Sequence, residues 1–179
     1  MQIIAGIYKH RTIKEPRNNY THPMGSREKL ALFNMLAAYL QGATVLDAFA
    51  GTGALGIEAF SRGAKEVVFV EKSAQNARLI ADNLNALGED AKTHATIIAK
   101  PVEQASLDKQ FDIIIADPPY DNFNLNTVTA LVPYLKPTGV FILSHPALPI
   151  PPTLPNLKLL STHHYAAAHI SCFSPQSMI

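Results

Sequence analysis

The sequence predicts an α/β chain built on a doubly wound, mostly parallel sheet of seven strands. Three observations point there. Short β-branched runs alternate with helical stretches of 8–15 residues, the runs are apolar throughout, and a glycine loop leads from the first run straight into a helix. Parallel strands need crossovers of helix length, and strands covered on both faces lose the in–out alternation of a half-exposed sheet.

The elements follow in order. Residues 1–22 read as a short strand or hairpin and then a polar, irregular stretch, together a basic N-terminal extension. Ser26 precedes Leu30, Leu32, Phe33, Leu36, Ala37 and Leu40, the spacing of a helix with one buried face that ends near Gly42. Apolar runs of strand character lie at Ala43–Leu46, Val67–Val70, His94–Ile98 and Phe111–Ala116, with a fifth at Val140–Leu143. Helices are expected at Ala54–Ser61, Ser73–Leu87, a shorter piece over Val102–Leu107, and Leu125–Leu135. Beyond a stiff connection at Pro149–Pro155, Lys158–Tyr165 and Ala168–Phe173 read as an antiparallel hairpin that completes the sheet. No repeat, low-complexity tract or linker interrupts residues 1–179, so a single domain is expected.

Composition narrows the class. A hydrophobic content of 47% with 16% charge excludes disorder over the whole length. No apolar run approaches the roughly 20 residues needed to span a bilayer. At the N-terminus the basic residues follow the apolar ones, the reverse of a secretory signal. The single cysteine, Cys172, excludes an internal disulfide and any four-cysteine metal site, and fits a reducing cytoplasm. The net charge is only +1, but residues 1–29 carry six Lys/Arg against two Glu, a balance of +4 that leaves −3 on the rest. A basic arm on a near-neutral body suits phosphate backbones, as it would also suit a plainly solvated terminus.

The loop Asp47-Ala-Phe-Ala-Gly51-Thr-Gly53-Ala-Leu-Gly56 fits G-x-G-x-x-G, and Glu71 lies 20 residues beyond Gly51, where an acid can reach ribose hydroxyls. On this loop alone a nicotinamide-dependent oxidoreductase remains open. Asp47 favours another cofactor: a carboxylate at the strand's end repels a pyrophosphate, but attracts the ammonium and sulfonium of S-adenosylmethionine.

The fourth strand ends in Asp117-Pro118-Pro119-Tyr120. Paired prolines stop a strand and stiffen the turn after it, and in an open α/β sheet that turn stands beside the glycine loop. An exocyclic base amine is a weak nucleophile. Asp117 and the Pro118 carbonyl can accept its two N–H groups and aim it, while Tyr120 stacks on an extruded or unpaired base.

Taken together, Asp47–Phe60 with Arg62-Gly63-Ala64, Val70-Glu71-Lys72 and Asp117–Tyr120 resemble the bacterial 16S ribosomal RNA guanine-N2-methyltransferase family, class I S-adenosylmethionine-dependent enzymes. Ile3-Ile-Ala-Gly6 with Arg11 resembles that family's opening hairpin, and His22–Asn34 its helix ahead of the sheet; the likeness runs to about residue 145. It implies a Rossmann-like methyltransferase fold, S-adenosyl-L-methionine as cofactor, and guanine N2 of small-subunit ribosomal RNA as acceptor. By the same resemblance Asp47, Phe49, Gly51, Gly53, Glu71 and Lys72 hold the cofactor, and Asp117, Pro118, Pro119 and Tyr120 the reacting amine. Lys9, Arg11, Lys14, Arg17 and Arg27 are the candidate RNA contacts.

The chain also departs from the family pattern. His22, Met24 and Ser26 replace Arg, Thr and Asp. Ala99-Lys100-Pro101 stands where an acid or Asn often meets the cofactor's adenine, Ser144-His145 where an acid is frequent, and Tyr165-Ala166 where Tyr-Gly is usual. Adenine N6 and other RNA or DNA amines stay open as targets, as does a non-catalytic RNA-binding protein of the same fold, against which the intact Asp117–Tyr120 speaks. His163 and His164 are adjacent and point to opposite faces of a strand, so no metal is expected with His169 and Cys172. The expected protein is a cytoplasmic monomer whose partner is ribosomal RNA or the small ribosomal subunit, without a membrane partner.

Overall fold

A computed structural model describes residues 1–16, 24–165 and 168–176. The chain runs α1 (Ser26–Leu36), β1 (Thr44–Asp47), α2 (Ala54–Ser61), β2 (Glu66–Val70), α3 (Ala74–Leu87), α4 (Glu89–Thr93), β3 (Ala95–Ile98), β4 (Phe111–Ala116), α5 (Leu125–Thr129), β5 (Leu135–Pro146), β6 (Leu157–His164) and β7 (Ala168–Pro175). All seven strands join one sheet in the order β3-β2-β1-β4-β5-β7-β6. The first five are parallel, and β7 runs antiparallel between β5 and β6. The expected doubly wound, mostly parallel sheet is what forms.

Successive strand residues feed two cores, which explains the unbroken apolar runs. Val45, Val67, Phe69, Ile113 and Ile142 pack with Leu32, Phe33, Ile57 and Ile80 on one face. Leu46, Val68, Ile114, Phe141 and Leu143 pack with Val128 and Leu131 on the other. The crossovers β1–β2–β3 therefore cover one face and β4–β5 the other, and the winding reverses between β1 and β4. Outside the carboxyl ends of those two strands an open α/β sheet leaves a crevice.

Boundaries moved where a local signal outweighed periodicity. The helix expected over Leu125–Leu135 stops at Thr129 and gives way to a 3₁₀ turn at Val132–Tyr134. Pro133 has no N–H to continue the ladder, and its ring clashes with the carbonyl four residues back. β5 starts at Leu135 rather than Val140, with an irregular register opposite Phe111 and Ile113. The piece expected over Val102–Leu107 is a single 3₁₀ turn, Val102–Gln104. His94, expected to open β3, instead ends the short α4, its N–H bonded to the Asp90 carbonyl at 3.3 Å.

The N-terminal hairpin closes through Ile3 N–H to Arg11 O at 3.0 Å and Ile13 N–H to Met1 O at 2.8 Å. It docks on the end of α2 through Glu58, which is fully buried. The Glu58 carboxylate accepts the N–H groups of Ile4 (2.8 Å) and Ala5 (3.0 Å) and Nε of Arg62 (2.8 Å), with Lys29 Nζ at 3.3 Å. Lys29 is itself 1% exposed, so this charge, counted in the basic arm, lies inside the protein. Glu58→Ala is expected to cost about 3–5 kcal/mol in urea unfolding, because it strands a buried ammonium. Adding Lys29→Met should recover much of that loss. A single-variant cost under about 1 kcal/mol would mean that the pair contributes nothing beyond a surface ion pair.

Candidate active site

The glycine loop stays anchored to both neighbours of β1 after the strand has ended. Ala48 N–H reaches the Ile115 carbonyl of β4 at 2.9 Å, and Ala50 N–H reaches the Val70 carbonyl of β2 at 3.0 Å. Gly51 and Gly53 sit at φ +54° and +78°, the left-handed region where a side chain is strained. Gly56 lets α2 close on β2: a Cβ there would lie 2.3 Å from the Phe69 ring. Asn83, on the buried face of α3, donates to the Thr52 carbonyl at 3.3 Å and to the Lys14 carbonyl at 3.2 Å, tying loop and arm to one helix.

Three carboxyl groups converge on this loop. Glu71 accepts Gly51 N–H and Ser73 N–H, each at 2.7 Å, with one oxygen apiece. Asp47 is 1% exposed, and its Oδ2 accepts Gly56 N–H at 2.8 Å. Its Oδ1 is buried with no partner among the described residues. Burial raises the Asp47 pKa from 3.8 to about 7, against the Gly56 hydrogen bond, and the nearby Asp117 and Glu71 charges add to the rise. An orphaned, buried acceptor among acids calls for a cationic donor, and the ammonium of S-adenosylmethionine fits that demand. A pyrophosphate does not.

The Asp-Pro-Pro-Tyr turn leaves β4 next to this loop, since Asp47 is in register with Ile115. Burial pushes the Asp117 carboxyl up to about 6, partly offset by the neighbouring Ser144 hydroxyl. The Pro119 carbonyl accepts Asn122 N–H at 3.3 Å, while among the described residues no donor is bonded to the Pro118 carbonyl. Tyr120 is half-buried, and its hydroxyl lies 2.5 Å from Ser144 Oγ. Burial and then the Asp117 charge push the phenol up to about 12, so it remains a neutral donor at any working pH.

The other expected residues are placed unevenly. Phe49 is half-buried against the second core, and Lys72 is exposed after β2. Lys9, Lys14 and Arg27 are exposed. Arg11 lies over the Tyr8 ring and spends its guanidinium on the Leu87 carbonyl (3.1 Å) and that of Ala86, at the end of α3. It is a helix-end anchor. Arg17 and His22, like Ala166, lie outside the described residues. His145, His169 and His164 line up across β5, β7 and β6, yet among the described residues no group of three or more metal-ligating side chains is placed to hold an ion. No described helix is long and apolar enough to cross a membrane.

Two further residues of this region carry no motif in the sequence. Asn83 falls within the helix expected over Ser73–Leu87 and shares the buried stripe Ile80, Leu84, Leu87 at helical spacing. Ser144 stands out in the sequence only as a departure from the family pattern. Its link to Tyr120 joins residues 24 apart, which no local periodicity reveals.

Residues 1–174 match the family described as "Conserved hypothetical protein 95". The chain is 29% identical to "Putative rRNA methyltransferase YlbH" of Bacillus subtilis, over 97% of this chain and 98% of that one. It is 38% identical to "Ribosomal RNA small subunit methyltransferase D" of Haemophilus influenzae over 70% of this chain, a stretch spanning 66% of that protein. A solved Escherichia coli structure shares the fold at a TM-score of 0.88 with 24% identity, covering 99% of each chain.

Proposed function

The chain belongs to the Conserved hypothetical protein 95 family, a ribosomal RNA methyltransferase family of the S-adenosylmethionine-dependent class, and on that premise we propose that it methylates guanine N2 of small-subunit ribosomal RNA. The observation that carries this reading is the pairing, across one sheet edge, of the unpartnered Asp47 oxygen with the Asp117–Tyr120 turn.

S-adenosylmethionine, when bound, supplies an electrophilic methyl group on a sulfonium. Asp47 would hold the ammonium end, and Glu71 the ribose, since each of its oxygens keeps acceptor capacity beyond its one backbone bond. Gly51 and Gly53 would let the backbone approach, with Phe49 and Lys72 at the rim. Asp117 and the Pro118 carbonyl would each take one N–H of the base amine, and rigid Pro119 would keep both acceptors in place. Tyr120 would stack on a base drawn from an unpaired loop or flipped from a helix. The ionised Asp117 aligns the amine and balances the positive charge that grows on its nitrogen during transfer. Proton loss then follows methyl transfer, with Asp117 the nearest base.

For RNA contact, Lys9, Lys14 and Arg27 are exposed cations we assign to phosphates, with Arg11 and Arg17 kept from the sequence pattern. Phosphate contacts fix the register while the pocket reads the base. Such a partner places the protein in the cytoplasm.

Calorimetric titration with S-adenosylmethionine and NAD side by side tests the cofactor. Micromolar-class binding of the first and none of the second is expected. Tighter binding of NAD would overturn the reading in favour of the oxidoreductase.

A further inference from the structure

Ser144 lies near the carboxyl end of β5, one residue past the Ala116–Leu143 register pair, so it stands beside Asp117 at the end of the adjacent strand. It is 1% exposed, and its Oγ lies 2.5 Å from the Tyr120 hydroxyl. A buried hydroxyl bonded to the tyrosine of a proposed catalytic turn, and next to that turn's aspartate by strand register, needs both its donor and acceptor capacities met.

We propose that Ser144 is a positioning residue for methyl transfer, fixing the Tyr120 ring and the Asp117 carboxyl in one hydrogen-bonded row. The inference rests on the methyltransferase reading above. Donor polarity follows from the chemistry of the three groups. Ionised Asp117 has no proton to give, so Ser144 donates to it, and the Tyr120 O–H in turn donates to Ser144. With Tyr120 tethered at its far end, the ring keeps one orientation for the stacked base. With Asp117 accepting the bond proposed from Ser144, its remaining lone pairs would face the amine. The Ser144 hydrogen bond also favours the ionised carboxylate, opposing the burial that raises its pKa.

The test compares Ser144→Ala and Ser144→Thr with wild type in the full chain. The readouts are kcat, KM for cofactor and RNA, the pH profile at saturating cofactor, and a carbon NMR titration of the Asp117 carboxyl. Ser144→Ala should lower kcat roughly tenfold, the size of one hydrogen bond to a charged group, and leave the cofactor KM within about twofold. The acidic limb and the Asp117 titration should both move up by about half to one pH unit. Ser144→Thr keeps the hydroxyl and should restore most of the rate and the wild-type limb. The proposal is overturned if Ser144→Ala keeps the wild-type rate and limb, or if it loses rate and thermal stability together with an unmoved limb. Should wild type methylate no RNA at all, the functional reading fails separately. The NMR titration still decides the Ser144 link, because identical Asp117 curves in wild type and Ser144→Ala would overturn it.

Discussion

Asp117→Ala is expected to lower methyl transfer by about 100-fold or more while S-adenosylmethionine binds within about twofold of wild type. The separation follows from the architecture. Asp117 leaves β4 in the turn proposed for the amine, whereas the groups proposed for the cofactor come from β1 and β2. Alanine removes an acceptor and a charge where positive charge develops, so the loss falls on kcat rather than on cofactor KM. The pH profile carries the same information. Burial holds the Asp117 pKa near 6, and a protonated carboxyl cannot accept both a proton and an amine N–H well. In wild type, kcat at saturating cofactor should therefore fall as pH drops through about 6, and in Asp117→Ala that limb should vanish. A mutant rate equal to wild type would mean that the chemistry lies in another turn.

The second large effect joins stability to binding at Asp47. Its folded pKa, about 7, is raised above the ordinary 3.8, so the fold prefers the neutral carboxyl. The stability that Asp47 allows is fully present below about pH 4 and is lost as pH rises through about 7. Asp47→Asn keeps an acceptor for Gly56 N–H and removes the charge. It should stabilise the cofactor-free protein at pH 8 by roughly 2–4 kcal/mol, the linkage worth of about three pKa units less the cost of a new unpartnered amide. At pH 4 it should give no gain. The same substitution should weaken S-adenosylmethionine by about 100-fold, because the ammonium loses its buried counter-charge. Wild-type affinity should rise with pH through about 7 as Asp47 ionises. Denaturant unfolding at both pH values, with calorimetry on the same samples, checks all of this. A stabilised variant that binds the cofactor normally would remove Asp47 from the ammonium.

The strands and the loop were legible because they answer to local rules. A strand covered on both faces must be apolar throughout, a sharp turn into a helix needs glycines, and paired prolines must stop a strand. What periodicity alone lost was mostly tertiary. Counting charges treated Lys29 like Lys9, although Lys29 falls on the same helix face as Leu32, Phe33 and Leu36, at intervals of three, four and seven. That spacing was a signal of burial, and the partner, Glu58 on α2, was not readable without the fold. Nor could the sequence show that Arg11, a candidate phosphate contact, also bonds carbonyls at the end of α3, because that takes the docked hairpin. Ser144 gave no motif to notice, because its meaning comes from the pairing of β4 with β5. The shortened α5 was readable, since Pro133 stood inside the expected helix.

The most direct test is to incubate the wild-type protein with S-adenosylmethionine labelled on its methyl group and undermethylated small ribosomal subunits or their RNA, then digest and identify the labelled nucleoside. The account predicts label in N2-methylguanosine, dependent on Asp117. Label in N6-methyladenosine would keep the mechanism and overturn the target, because that amine offers the same two N–H groups. No label in any nucleoside, from protein shown to bind the cofactor, would contradict the account.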